Sequence, residues 1–172
     1  MNPLVRLRLL GLGLAAVIFA ADQWIKWLVR VPLQLRQVGS IDLIPFFRLT
    51  WAENYGVSLG MLTADSMEMR WLLVALTAGI ALVVLVWLLR EKTAAEVTAL
   101  GLVLGGALGN IRDRMTFGFV VDYADLHIGE WRPFLIFNLA DAAITLGVLI
   151  ILARSFLSRE KQDNAGKPAT ES

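Results

Sequence analysis

Between Arg70 and Arg90 the chain runs for 19 residues, Trp71 to Leu89, without a single charge. At 1.5 Å per residue a helix of that length reaches roughly 28 Å, close to the hydrocarbon thickness of a bilayer. Few soluble folds of this size bury such a segment. The rest of the composition points the same way: of 172 residues, 57% are hydrophobic, 14 more are glycine, and only 18% are charged. A membrane is the solvent that this sequence fits. The net charge of +1 supplies no field for nucleic acid, and nucleic-acid binding is not expected. The chain has no cysteine, so disulfides, thiolate nucleophiles and Cys-ligated metals are excluded, and any catalysis falls to oxygen, amine or imidazole groups.

The pattern predicts an all-α membrane protein with four spans, at about 9–29, 71–89, 93–111 and 134–153, in one integral-membrane domain over 1–160. The first stretch has only 13 apolar residues, Leu9 to Ala21, after Arg6 and Arg8, which is also the length of a signal-peptide core. Trp24, Trp27 and Leu28 continue the apolar pattern, so a retained helix is the preferred reading. The third span is Gly-rich, and Gly101, Gly105, Gly106 and Gly109 give it a small-residue face for close helix approach. Four spans put both termini on one side. Lys and Arg divide 8 against 8 between the two sides, but those of the terminal side crowd beside the helices, so cytoplasmic termini are expected. Of the two outer segments, the first carries β-formers at Phe46–Trp51 and Val57–Leu59 around Glu53-Asn54-Tyr55-Gly56, which predicts a small extracytoplasmic strand–turn–strand element. From Lys161 onward the tail, 161–172, is too polar to bury and is expected to be disordered.

Asp141 is the most expensive residue in this scheme, a carboxyl seven positions into the fourth apolar span. Asn138 at i−3 and Thr145 at i+4 share its face. An Asn or a Thr would join helices without a charge to neutralise, which favours a functional role for the aspartate. Asp122 follows an apolar run on the same side of the membrane. Two carboxyls meeting in a low-dielectric pocket cannot both ionise, and such a pair can act as acid and base. The sequence leaves open whether they meet, or whether Asp122 and Asp125 are solvated loop charges. Asn110 and Arg114 lie one helical turn apart and offer an amide and a planar fork of donors to a peptide; the alternative is that Asp113 and Arg114 are interfacial charges closing a helix. Asp22 and Lys26 form an i,i+4 pair, readable as a snorkelling ion pair, and Asn54 and Gly56 suit a turn. His127 is the only histidine, and with Asp122 and Asp125 it matches no known metal-ligand spacing. A proton relay or small transporter, and a non-catalytic assembly protein, are the rival readings from other classes.

Five segments taken together resemble one family, the bacterial lipoprotein signal peptidases, or signal peptidase II. They are Asp22-Gln23-Trp24-Ile25-Lys26, Asn54-Tyr55-Gly56, the run from Gly105 through Asn110 to Arg114, Val120-Val121-Asp122, and Phe137-Asn138-Leu139-Ala140-Asp141-Ala142-Ala143-Ile144. The resemblance implies an intramembrane aspartic endopeptidase with Asp122 and Asp141 as its catalytic pair. Asn54, Gly56, Asn110, Arg114 and Asn138 would shape the substrate site, and Asp22 and Lys26 would support the fold. It further implies prolipoprotein substrates carrying a diacylglyceryl group on a Cys, cleavage just before that Cys, membrane lipid as a partner, and neither metal nor cofactor. The expected setting is a monomer in the bacterial inner membrane with its site near the outer face. Val57-Ser58-Leu59 and Ala142 depart from the family's usual residues and bear on substrate preference.

Overall fold

The computed structural model describes residues 2–56, 67–129 and 131–165, with side chains as far as Leu157. The elements in order are α1 (Pro3–Arg30), a short α2 (Leu35–Val38), β1 (Ser40–Ile44), β2 (Phe47–Asn54), α3 (Met67–Arg90), α4 (Ala94–Phe117), β3 (Val120–Leu126) and α5 (Leu139–Ala165). Four of the helices are long and apolar enough to cross a membrane: α1, α3, α4 and α5 as far as Leu157. The protein is a helical membrane protein, and its described residues include one small antiparallel sheet, of order β1-β2-β3.

Helix α4 is the axis of the bundle. Some 61% of its most apolar stretch is buried, against 11–22% in the other three, so α1, α3 and α5 surround it and give their outer faces to lipid. Its glycines explain how they come so close. A Cβ added at Gly101, Gly105 or Gly109 would stand 2.7, 2.6 and 2.5 Å from the oxygens of Gly11, Ala15 and the Asp22 side chain on α1. On the opposite side one added at Gly106 would stand 2.5 Å from the Ala140 carbonyl of α5. Apolar side chains gain nothing by leaving lipid for another helix, so contact at backbone distance and hydrogen bonding hold such a bundle together.

The helix ends differ from expectation in ways that matter for the site. Helix α1 begins at Pro3 because Asn2 caps it, its side chain accepting from Leu4 N at 2.9 Å. Helix α4 runs six residues past 111 and stops where Gly118 takes φ +88°, a left-handed conformation that glycine adopts at little cost. The fourth span does not start at 134. Residues 134–138 follow Pro133 without helical structure, and Phe137 is hydrogen-bonded in both directions to Ala124 of β3 before the helix starts at Leu139. At its other end α5 continues to Ala165, past the expected tail boundary at 161, and 166–172 lie outside the described residues.

The strand expected at Phe46–Trp51 is β2. Its partners are β1 and β3, which the hydropathy pattern did not announce; Val57–Leu59 lie outside the described residues. Six successive residues of β3 are buried, so it has no alternation to betray it. It packs with Val29, Leu35 and Phe117 to form a small core at the membrane's edge, separate from the apolar core among the helices.

Candidate active site

The site is built around the first turn of α5. The opening amides of a helix lack partners within the helix, and all four here are met by side chains. Asn138 is the cap: its Oδ1 accepts from Asp141 N at 2.9 Å, and Asp141 Oδ2 accepts in return from Asn138 N at 3.3 Å. This reciprocal arrangement is a capping box. Leu139 N donates to Tyr123 Oη at 3.1 Å, and Ala140 N donates to Asp22 Oδ1 at 3.1 Å. Asp141 therefore lies in an opening turn rather than deep in an apolar helix. There the aligned peptide dipoles of the helix favour a negative charge and lower the cost inferred from the sequence.

Asp122 reaches the same place from the sheet. It pairs across the ladder with Ala52, and Asn54, two residues along β2 on the same face, is its diagonal neighbour. Asn54 Nδ2 donates to Asp122 Oδ2 at 3.0 Å, and Asn138 Nδ2 donates to Asp122 Oδ1 at 2.6 Å. Asn138 thus holds Asp141 through its carbonyl oxygen and Asp122 through its amide. Burial first, and the charge of Asp141 second, push the Asp122 carboxyl up to about 6 against the lowering effect of its two amide donors. Asp122 is not a solvated loop charge, since it is 2% exposed.

Behind this pair sits a second polar layer. Lys26 Nζ lies 2.9 Å from Asp22 Oδ2 and 2.9 Å from Asp113 Oδ2, and donates to Asn110 Oδ1 at 3.2 Å. Its three donors meet three acceptors, and all four residues are buried. The expected snorkelling pair is therefore an internal bridge, and Asp113 is not an interfacial charge. Asp113 Oδ2 also accepts from Val121 N at 3.1 Å, which fixes β3 beside α4. Gln23 Nε2 reaches Asp22 Oδ2 at 3.0 Å and Asp113 Oδ1 at 3.1 Å. Asn110 joins the layers, since its Nδ2 donates to Asp141 Oδ1 at 2.8 Å.

Arg114 approaches from one turn further along α4. Asp141, Asp122 and Asp113 all act on its charge, and its buried Nε has no hydrogen-bond partner among the described residues. Gly56, at φ +83°, passes so close that an added Cβ would stand 3.4 Å from Arg114 Nη2. Asn54 Oδ1 accepts from Gly56 N at 2.8 Å, so the turn reading of Asn54 and Gly56 holds while Asn54 also serves Asp122. Asp125 is three residues from Asp122 on β3 and therefore faces the other way. There it meets Arg48 at 3.4 Å, Arg132 at 3.2 Å and Thr50 Oγ1 at 3.1 Å, while His127 Nδ1 accepts from Arg48 Nε at 3.5 Å. Asp122, Asp125 and His127 thus form no common ligand set.

Openings reach both carboxyls. Asp122 lines one of about 610 Å³ with Ala52 and Asn54, and Asp141 lines one of about 260 Å³ with Ala142 and Thr145. Phe134 and Leu135, in the non-helical run before α5, border both. Two carboxyls both bonded to Asn138, that of Asp122 by its side-chain amide and that of Asp141 by its backbone N–H, with Asp122 held near 6, can take up and deliver a proton at the openings they line.

A family profile described as signal peptidase (SPase) II matches residues 14–157. The chain belongs to the signal peptidase II family. A lipoprotein signal peptidase of Sphingopyxis alaskensis is 54% identical over 162 residues, 94% of each chain. One of Rhizorhabdus wittichii is 56% identical over 153 residues, 89% of each. Among solved structures, a bacterial membrane enzyme determined by the in meso method at 2.3 Å resolution superposes with a TM-score of 0.72 at 27% identity, covering 94% of this chain and 93% of that one. Membership makes the chain a membrane protease. Two residues beside the carboxyl pair were given no role from the sequence, Gln23 and Tyr123, and Asp113 was read there only as an interfacial charge. The spacing Asn138-x-x-Asp141 after Pro133 was the signal for the helix start that gives Tyr123 and Asp22 their amides.

Proposed function

We propose that this protein is an aspartic endopeptidase that removes signal peptides from diacylglyceryl-modified prolipoproteins, cutting just before the lipidated Cys. The observation that carries the reading is the sharing of Asn138 by Asp122 and Asp141, together with the Asp122 carboxyl held near 6. Asp141 takes a proton from the attacking water. Asp122 donates its proton to the carbonyl oxygen, and the roles reverse as the amine leaves. The planar guanidinium of Arg114 and the Asn54 amide orient the peptide beside the pair. The names of the relatives, lipoprotein signal peptidases, support the substrate class. A signal peptide would arrive as an apolar helix in the bilayer, with its scissile bond at the cleft beside Phe134 and Leu135.

In this reading the termini are cytoplasmic, the sheet and the carboxyl pair face the outer side of the inner membrane, and a single copy carries the whole site. Ala142 lines the opening beside Asp141, where its small side chain would bear on substrate preference. The test is a cleavage assay on a lipidated prolipoprotein. Asp122→Asn and Asp141→Asn should each remove at least about 10³-fold of activity, and the double variant should be scarcely worse, because residues that act as one unit are not additive. Near-full activity in either single variant would overturn the assignment of that residue.

A further inference from the structure

A separate pocket lies at the sheet end of the bundle and shares no residue with the openings to Asp122 and Asp141. It has a volume of about 370 Å³ and is lined by Arg30, Arg36 and Gln37 with Trp51, Phe117 and Phe119. Arg30 stands in the last turn of α1, where that span leaves the apolar layer. Its guanidinium lies 3.9 Å from the centroid of the Phe117 ring, which occupies one face of the ion. Its in-plane donors have no hydrogen-bond or ion-pair partner among the described residues. Arg36 pairs through Nη2 with Glu53 at 3.0 Å, and its side chain is 63% exposed, so further donors of its fork are open to solvent. Below the arginines α1 exposes Trp24 and Trp27, and the exposed Val31 lines the pocket itself. Trp at this level marks the headgroup layer of a membrane.

We propose that this pocket binds the phosphate of a membrane glycerophospholipid, with Arg30 and Arg36 as the anion-binding forks and the exposed apolar residues of α1 beside its acyl chains. The pairing follows from chemistry: a guanidinium presents parallel N–H donors that match two phosphate oxygens. A free phosphate would leave the surrounding apolar surface unused. A diacylglyceryl group on a Cys carries no phosphate and gives the arginines nothing to bind. The site is therefore separate from the proposed peptidase chemistry, and its failure would leave the Asp122–Asp141 pair untouched.

Native mass spectrometry of the full chain, released from a neutral maltoside detergent with added lipid, tests this. With phosphatidylglycerol one retained lipid is expected, bound about tenfold more tightly than a phosphate-free diacylglycerol of the same acyl chains. Arg30→Gln/Arg36→Gln should remove about tenfold in affinity, on the scale of two interfacial charges of which one is partly neutralised. Arg90→Gln, at the opposite end of α3, should leave binding unchanged. If the double variant does not fold, Arg36→Gln, on an exposed side chain, should still weaken retention about threefold. Equal retention of diacylglycerol, unchanged binding in the arginine variants, or displacement of the lipid by millimolar inorganic phosphate would each overturn the proposal.

Discussion

Lys26→Met tests whether the buried ionic layer beneath the carboxyl pair organises the fold. Lys26 is 2% exposed and sits between Asp22 and Asp113, both 0% exposed. Met has nearly the same length and no charge. The substitution leaves Asp22 and Asp113 facing each other without their cation and leaves Asn110 Oδ1 without one donor. Removing one member of a buried ion pair costs about 3–5 kcal/mol, because the remaining charge stays desolvated. For a chain of this length that corresponds to a fall in Tm of roughly 10 °C. Thermal unfolding of the detergent-solubilised protein at neutral pH reads it directly. The magnitude belongs to stranded charges, so Lys26→Met combined with Asp22→Asn and Asp113→Asn should recover most of the loss. A fall of less than about 1 kcal/mol in the single variant, on the scale of an ordinary exposed pair, would refute the reasoning; so would a triple variant no more stable than the single.

Three further outcomes are expected. The folded Asp122 carboxyl, raised from 3.8 to about 6, binds a proton in a window where the unfolded chain has lost it, so stability falls as pH rises from about 4 to 6, by about 3 kcal/mol in all. Asp122→Asn should flatten that slope, and in the wild type kcat/KM should decline above about pH 6 as the proton donor is lost. Gly109→Ala would place a methyl 2.5 Å from Asp22 Oδ2 and should cost about 1–3 kcal/mol in unfolding measurements, whereas Gly79→Ala, with nothing within 4 Å, should be neutral or stabilising. Arg114→Ala should lower cleavage strongly and Arg114→Lys should restore little of it; full rescue by Lys would mean that charge alone matters there.

The membrane-crossing segments were legible in the sequence because crossing a bilayer depends on length and apolarity alone, which Trp71–Leu89 displays without help from any neighbour. Close helix approach at Gly101, Gly105 and Gly109 was legible for a related reason: four-residue spacing places them on one face whatever that face meets. Asp141 announced itself by its cost. Its true position did not, since the start of α5 depends on a capping box and on Phe137 pairing with Ala124, a residue thirteen positions away in the chain. β1 and β3 were hidden because strands form through partners distant in sequence, and β3 is buried on both faces and shows no alternation. Only the tertiary structure decided that Lys26 serves Asp113 as well as its helical neighbour Asp22. It alone decided that Asp122 and Asp125, three residues apart on one strand, face different partners. Hydropathy is a property of each segment, but the partner of a buried charge is chosen by the packing of α1, α4, β3 and α5 around it.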